Sequence, residues 1–204
     1  MNDSPQLSTK IIVAGGFGAG KTTFVSTVSE IPPVRTEALV SAASTGIDDL
    51  SHTPDKTSTT VAMDFGRISL DTDLALYLFG TPGQQRFWFM WDDLVRGALG
   101  AVILADVRRL DESFQALDYF EKQYRVPFMV AVNTFDNAPL YGIEDLRDAL
   151  DLNPGTPIAW CDARDHNSVV SVLVTLVRHS MAVEARRRQN LDPWPGGAGS
   201  PAPA

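Results

Sequence analysis

The sequence is poorest in the residues that build disulfides and metal clusters. Of its 204 residues one is cysteine, Cys161, and three are histidines, His52, His166 and His179, dispersed without metal-ligand spacing. A disulfide framework and a thiol cluster for a metal are thereby excluded, as expected of a reducing cytoplasm. Basic residues are outnumbered too, 17 Lys and Arg against 25 Asp and Glu, for a formal net charge of −8. Nucleic acid, whose binding needs a basic surface to displace counterions, is therefore an unsuitable partner. There is no run of about 18 apolar residues, so direct insertion into a membrane is not expected. Met1 to Thr9 lacks the apolar centre of a signal peptide. The end, Pro201 to Ala204, offers no cysteine for prenylation.

What is present is an alternation of strand-type and helix-type segments. The length suits one compact domain, read as residues 1–190. Residues 191–204 form a tail too rich in Pro, Gly and Ala to bury a core. Lys10 to Ala14 reads as a strand, and Thr23 to Ile31 as a helix closed by Pro32 and Pro33. Val34 to Lys56, rich in Ser, Thr, Asp and Pro, has no periodic apolar face and reads as a long mobile loop. Thr60 to Leu70 and Leu74 to Phe79 read as strands; Asp71-Thr72-Asp73 between them allows only a hairpin, so this pair is antiparallel. Gln84 to Arg96 is a loop running into a helix. Gly100 to Ala105 and Val126 to Val132 are continuously apolar, as strands buried on both faces are. Asp111 to Tyr124, Tyr141 to Leu150 and Ser168 to Arg188 read as helices, and Ile158 to Cys161 as a last strand. The sum is an α/β domain of three layers, with a six-stranded mixed sheet containing one antiparallel strand. In such sheets ligands bind at the carboxyl ends of the strands.

Gly15-Gly16-Phe17-Gly18-Ala19-Gly20-Lys21-Thr22 fits the pattern G-x-x-x-x-G-K-[ST] and lies between a strand and a helix. That context gives the pattern its mechanism as a P-loop. The glycines turn successive N–H groups inward onto phosphate oxygens, and the helix N-terminus adds a partial positive charge. Lys21 reaches the outer phosphates and the Thr22 hydroxyl ligates Mg²⁺. The expected nucleotide contacts are Gly15, Phe17, Gly18, Ala19, Gly20, Lys21, Thr22 and Thr23.

Further along, Thr81-Pro82-Gly83-Gln84 follows the second strand of the antiparallel pair, Asn133-Thr134-Phe135-Asp136 follows the strand Val126 to Val132, and Cys161-Asp162-Ala163-Arg164 follows the last strand. In this order the chain resembles the Ras-like small GTPases from Lys10 to Arg188. The resemblance implies that the Gly83 N–H contacts the γ-phosphate and that Gln84 orients the attacking water, making Gln84, Gly83 and Lys21 the catalytic group. Thr60-Val61-Ala62-Met63-Asp64-Phe65 resembles the first switch, which implies Thr60 as a second Mg²⁺ ligand, with Thr57 and Thr59 as rivals. The family's metal-side aspartate corresponds to Gly80, so Mg²⁺ is expected to rest on Thr22, Thr60 and the phosphates. Asn133 and Asp136 match N-K-x-D with its lysine replaced by Thr134. Asp136 can accept from guanine N1–H and the 2-amino group, whereas adenine has no such pair, a difference worth ~10⁴-fold where the site is buried. Asp162, Ala163 and Arg164 resemble the S-A-K loop, with the Ala163 N–H directed at guanine O6.

More narrowly, the missing aspartate and the Thr-Pro-Gly-Gln loop resemble bacterial small GTPases of the gliding-motility polarity (MglA) type, and most of all the GTPases of actinobacterial conservons. That implies a roadblock/LC7-type regulator, association with a histidine-kinase-like membrane protein complex, and a cytoplasmic place that becomes membrane-associated through partners. Phe87 to Trp91, rich in aromatics, cannot all face inward from one helix and is expected to leave part of a partner surface exposed. Arg108, Arg109 and Arg186 to Arg188 read as solvated faces or dipole complements. Arg86 or Lys56 could supply a transition-state cation; neither is clearly placed, so intrinsic GTP hydrolysis is expected to be slow. The expected function is a GTP/GDP switch. Alternatives are a nucleotide-loaded scaffold with little hydrolysis, favoured by Gly80 and Thr134, and a P-loop small-molecule kinase, disfavoured by the early hairpin.

Overall fold

The computed structural model describes residues 7–32, 34–40, 59–71, 74–83, 90–123 and 126–189. Its centre is β1 (Leu7–Gly15), whose Ile11, Ile12 and Val13 are fully buried. β-branched residues in a run suit a strand covered on both faces. β1 lies parallel between β4 (Leu74–Gly80) and β5 (Ala98–Asp106), and β6 (Phe128–Asn133) and β7 (Ile158–Cys161) continue the sheet in parallel. On the other side β3 (Thr59–Asp71) runs antiparallel to β4. These six strands are the mixed sheet expected from the sequence.

A further strand, β2 (Val34–Val40), lies inside the segment read as a mobile loop. It pairs antiparallel with β3, so the sheet order is β2-β3-β4-β1-β5-β6-β7. Val34-Arg35-Thr36-Glu37-Ala38-Leu39-Val40 carries β-branched residues and two charges that suit a sheet edge. The Ser- and Thr-rich run after it hid that pattern. Residues 41–56 of the expected loop lie outside the described residues, as does the tail 191–204.

Among the described residues five helices cover the sheet. α1 (Lys21–Val28) and α5 (His166–Arg188) pack on one face around Ile11, Val13, Leu78, Val102 and Leu104. α2 (Trp91–Val95), α3 (Asp111–Asp118) and α4 (Ile143–Ala149) cover Ile12, Ile103 and Val130 on the other. α1 begins at Lys21, two residues earlier than expected, because Gly20 in a left-handed conformation starts it at the end of the P-loop, and it ends at Val28, three residues earlier than expected. α3 gives way to one π turn, Tyr119–Gln123, which turns both Tyr119 and Phe120 into the core. α5 is long and apolar enough by composition for a membrane span. Its Val169, Val172, Leu173 and Leu176 instead pack in the core beneath the sheet.

Trp91 ends the aromatic stretch that begins at Phe87. It is 1% exposed, edge-on to Tyr119 at 4.9 Å between ring centroids, while the Tyr119 hydroxyl donates to Asp92 at 2.7 Å. Trp91 is therefore core and unavailable to a partner. Phe87, Trp88 and Phe89 lie outside the described residues.

Candidate nucleotide site

The carboxyl ends of the parallel strands bring the sequence motifs to one edge. Register places Val13 beside Gly80, Gly15 beside Leu104, Asp106 beside Asn133 and Asn133 beside Cys161. The P-loop leaves β1 through Gly15, Gly18 and Gly20, with φ of 140°, 73° and 103°. A side chain is strained there. At Gly20 a Cβ would also collide with the Asn133 amide. Lys21 is buried at the loop's centre, its Nζ donating to the carbonyls of Gly15 at 2.9 Å and Gly16 at 2.6 Å. Burial pushes its ammonium down to about 8, against the opposing pull of the Asp64 and Glu112 carboxylates.

The metal side departs from the sequence reading. The Thr22 hydroxyl donates to the Asp64 carboxylate at 2.6 Å. Asp64 faces Gly80 across the β3–β4 pair, and a Cβ on Gly80 would lie 3.0 Å from the Asp64 Cβ. The carboxylate absent from Gly80 thus arrives from the neighbouring strand, which corrects the expectation that no protein carboxylate supports the metal side. Among the described residues no three His, Cys, Asp or Glu side chains cluster as a metal cage. Thr22 and Asp64 nevertheless fit a cation of the Mg²⁺ kind, which keeps several waters and takes most other ligands from phosphates.

Thr60 is not brought to this point. It is the second residue of an unbroken β3, paired with Leu39, and four residues from Asp64, about 13 Å along a strand. Pairing with β2 holds its backbone there. Gly83 does reach the P-loop: a Cβ on it would lie 2.9 Å from Lys21 Nζ and 3.0 Å from Phe17 Cα. Gln84, Arg86, Lys56 and Thr57 lie outside the described residues.

On the base side Asn133, 3% exposed, joins three segments. Its amide donates to the Ala19 carbonyl of the P-loop at 3.0 Å, and its carbonyl accepts the Ala163 N–H at 3.0 Å. This overturns the expected role of Ala163, whose N–H is engaged by Asn133 and not free for guanine O6; a buried amide oxygen needs that donor. Asp136 stands at the rim, its side chain 79% exposed, and takes Arg164 on both oxygens at 3.0 and 3.1 Å. Arg164 also holds Asp162 through two bonds of 2.9 and 3.0 Å, which keeps that carboxyl below its usual range. Arg108 lies over the Phe135 ring at 3.7 Å and pairs with the buried Asp106 at 2.8 Å.

The sequence reads Arg108 and Arg109 as solvated faces or dipole complements. They follow β5 at the same sheet edge as the motifs, which was the available signal. Arg109 donates to the Phe17 carbonyl of the P-loop at 2.8 Å and to Glu112 at 3.1 Å.

A parallel sheet with an antiparallel flank, a P-loop after β1 and an Asn-linked loop cluster at its carboxyl edge define a nucleotide-binding protein with the P-loop GTPase-like fold. The family model described as conserved hypothetical ATP binding protein matches residues 13–183, and the chain belongs to that family. It is 26% identical over 129 residues to an uncharacterized protein of Methanocaldococcus jannaschii, spanning 62% of this chain and 70% of that one. Among solved structures it is similar to the G domain of the T. maritima FeoB iron transporter, with a TM-score of 0.60 and 16% identity over 85% of this chain and 99% of that one. The cytosolic domain of the same transporter in a GDP form gives 0.62 and 16% over 91% and 73%. Its GMPPNP form gives 0.58 and 14% over 84% and 64%. At these identities the likeness speaks for the fold.

Proposed function

We propose that this protein is a guanine-nucleotide switch that binds GTP and GDP with Mg²⁺ and hydrolyses GTP slowly. The observation that carries the reading is Asn133, which ties the P-loop at Ala19 to the β7–α5 loop at Ala163; Asp136, three residues on, would then meet the base. Lys21 would neutralise the outer phosphates, and Thr22, steadied by Asp64, would hold Mg²⁺, which supplies Lewis-acid charge at the phosphates. Gly83, close to Lys21 and Phe17, would contact the γ-phosphate, and Gln84 beyond it would orient water. Hydrolysis forms a bond from water oxygen to the γ-phosphorus as the bond to the bridging oxygen breaks, leaving GDP and phosphate.

Guanine is favoured because it offers Asp136 two donors. The carboxylate is exposed, so its discrimination should be about 10- to 100-fold rather than that of a buried site. A second reading, ATP as ligand, is favoured by the name of the family and by the engagement of the Ala163 N–H with Asn133. Competition of GTP and ATP for a fluorescent GDP analogue decides between them, and equal affinities would sink the guanine reading.

Regulation by a roadblock/LC7-type protein, a cytoplasmic place beside a histidine-kinase-like membrane complex, and the MglA or conservon type remain part of this proposal on resemblance alone. Effectors would read the γ-phosphate near Gly83, where the two nucleotide states differ.

A further inference from the structure

Arg109 belongs to the short 3₁₀ turn Val107–Arg109 that ends β5. Its guanidinium reaches back over the P-loop: Nη2 donates to the Phe17 carbonyl at 2.8 Å and would lie 2.9 Å from a Cβ on Gly18. Glu112 at 3.1 Å and Asp106 at 3.6 Å brace it from behind. Glu112 itself lies against Gly16, where a Cβ would be 2.8 Å from its own Cβ. The same loop tip is also approached by Gly83, whose would-be Cβ lies 3.0 Å from Phe17 Cα and 2.9 Å from the Lys21 ammonium. Gly83, Lys21 and Arg109 thus all lie close to the Gly16-Phe17-Gly18 tip, which on the GTPase reading would face the outer phosphates.

We propose that Arg109 is a catalytic residue supplied by this chain itself, contacting the outer phosphate oxygens during hydrolysis. The proposal rests on the GTPase reading above. The Phe17 carbonyl is a neutral acceptor; a phosphate oxygen bears charge and forms the stronger bond to a guanidinium. The side chain is 40% exposed, so a ligand can reach it. A planar fork with fixed charge suits the three equatorial oxygens of the transferring phosphoryl group, on which charge is spread. The arriving phosphate would draw Arg109 from Phe17 while Glu112 keeps its orientation.

Single-turnover hydrolysis of bound GTP at saturating Mg²⁺ tests this with Arg109→Ala and Arg109→Gln. Glutamine keeps a donor for Phe17 and removes the charge, so it serves if the alanine variant folds poorly. Both are expected to hydrolyse at least ~10-fold more slowly. Their GDP affinity should stay within about threefold, since GDP lacks the γ-phosphate that the fork would hold. They should also lose binding of aluminium fluoride with GDP. Unmutated protein that hydrolyses GTP, with Arg109→Gln at the same rate per bound nucleotide, overturns the inference alone. Unmutated protein without hydrolysis overturns the proposed function and the inference with it.

Discussion

The Thr22 hydroxyl and the Asp64 carboxylate are 2.6 Å apart, and Asp64 stands across the β3–β4 pair from Gly80. Asp64→Ala should therefore weaken Mg²⁺ by about 10- to 100-fold, as removal of a group that orients a metal ligand does. Gly80→Asp alone should not help, because its Cβ would be 3.0 Å from Asp64 Cβ and a second carboxylate would join the first. Combining the two substitutions should recover part of the loss. Dissociation of a fluorescent GDP analogue across a Mg²⁺ titration checks all three; an unchanged midpoint in Asp64→Ala contradicts the assignment.

Asn133→Ala would leave the Ala19 carbonyl and the Ala163 N–H buried without partners. At 1–3 kcal/mol each the loss should be about 2–6 kcal/mol, or a Tm lowered by roughly 4–24 °C for a domain of this size. Calorimetry measures it. A shift below about 2 °C would show that the three segments hold together without this amide.

Lys21 is held down to about 8 by burial. Phosphates favour its charged form, so nucleotide binding should take up a proton wherever the free protein has lost it. Raising the pH from 7.5 to 9 should then weaken GDP binding by about tenfold, the sign following from protonation being required in the complex and increasingly absent before it. Calorimetric titration in buffers of different ionisation heat counts the proton. Affinity constant across that interval would mean that Lys21 stays charged without ligand.

Asp136→Asn should weaken GTP by about 10- to 100-fold and improve xanthosine triphosphate, whose C2 oxygen accepts where guanine donates. Arg164, released from Asp136 but still held by Asp162, should keep the loop in place. Competition binding reads the result, and unchanged preference between the two bases contradicts the role of Asp136.

The parts legible in the sequence were those whose chemistry is local. Gly15 to Thr22 make a P-loop within eight consecutive residues, and Asn133 to Asp136 follow a strand whose apolar run is unmistakable. The early hairpin was legible because Asp71-Thr72-Asp73 is too short for a crossover. What escaped depends on register or on distant segments. Asp64 meets Thr22 only because β3 pairs with β4 in one register, and an adjacent strand supplied the acid that Gly80 lacks. β2 was hidden because its seven residues open a long polar segment. Arg109 looked solvated beside Arg108 in sequence, yet the turn after β5 carries it to Phe17, 92 positions away. The Ala163 N–H could be assigned to a base only while the nearness of Asn133 was unknown.

The central claim is tested most directly by single-turnover hydrolysis with GTP and ATP supplied side by side to the purified chain in Mg²⁺. Slow conversion of GTP to GDP is expected, with ATP converted at least ~10-fold less efficiently at subsaturating nucleotide, in keeping with the two donors that guanine presents to Asp136. ATP hydrolysed as well as or better than GTP would contradict it, as would two triphosphates both left intact.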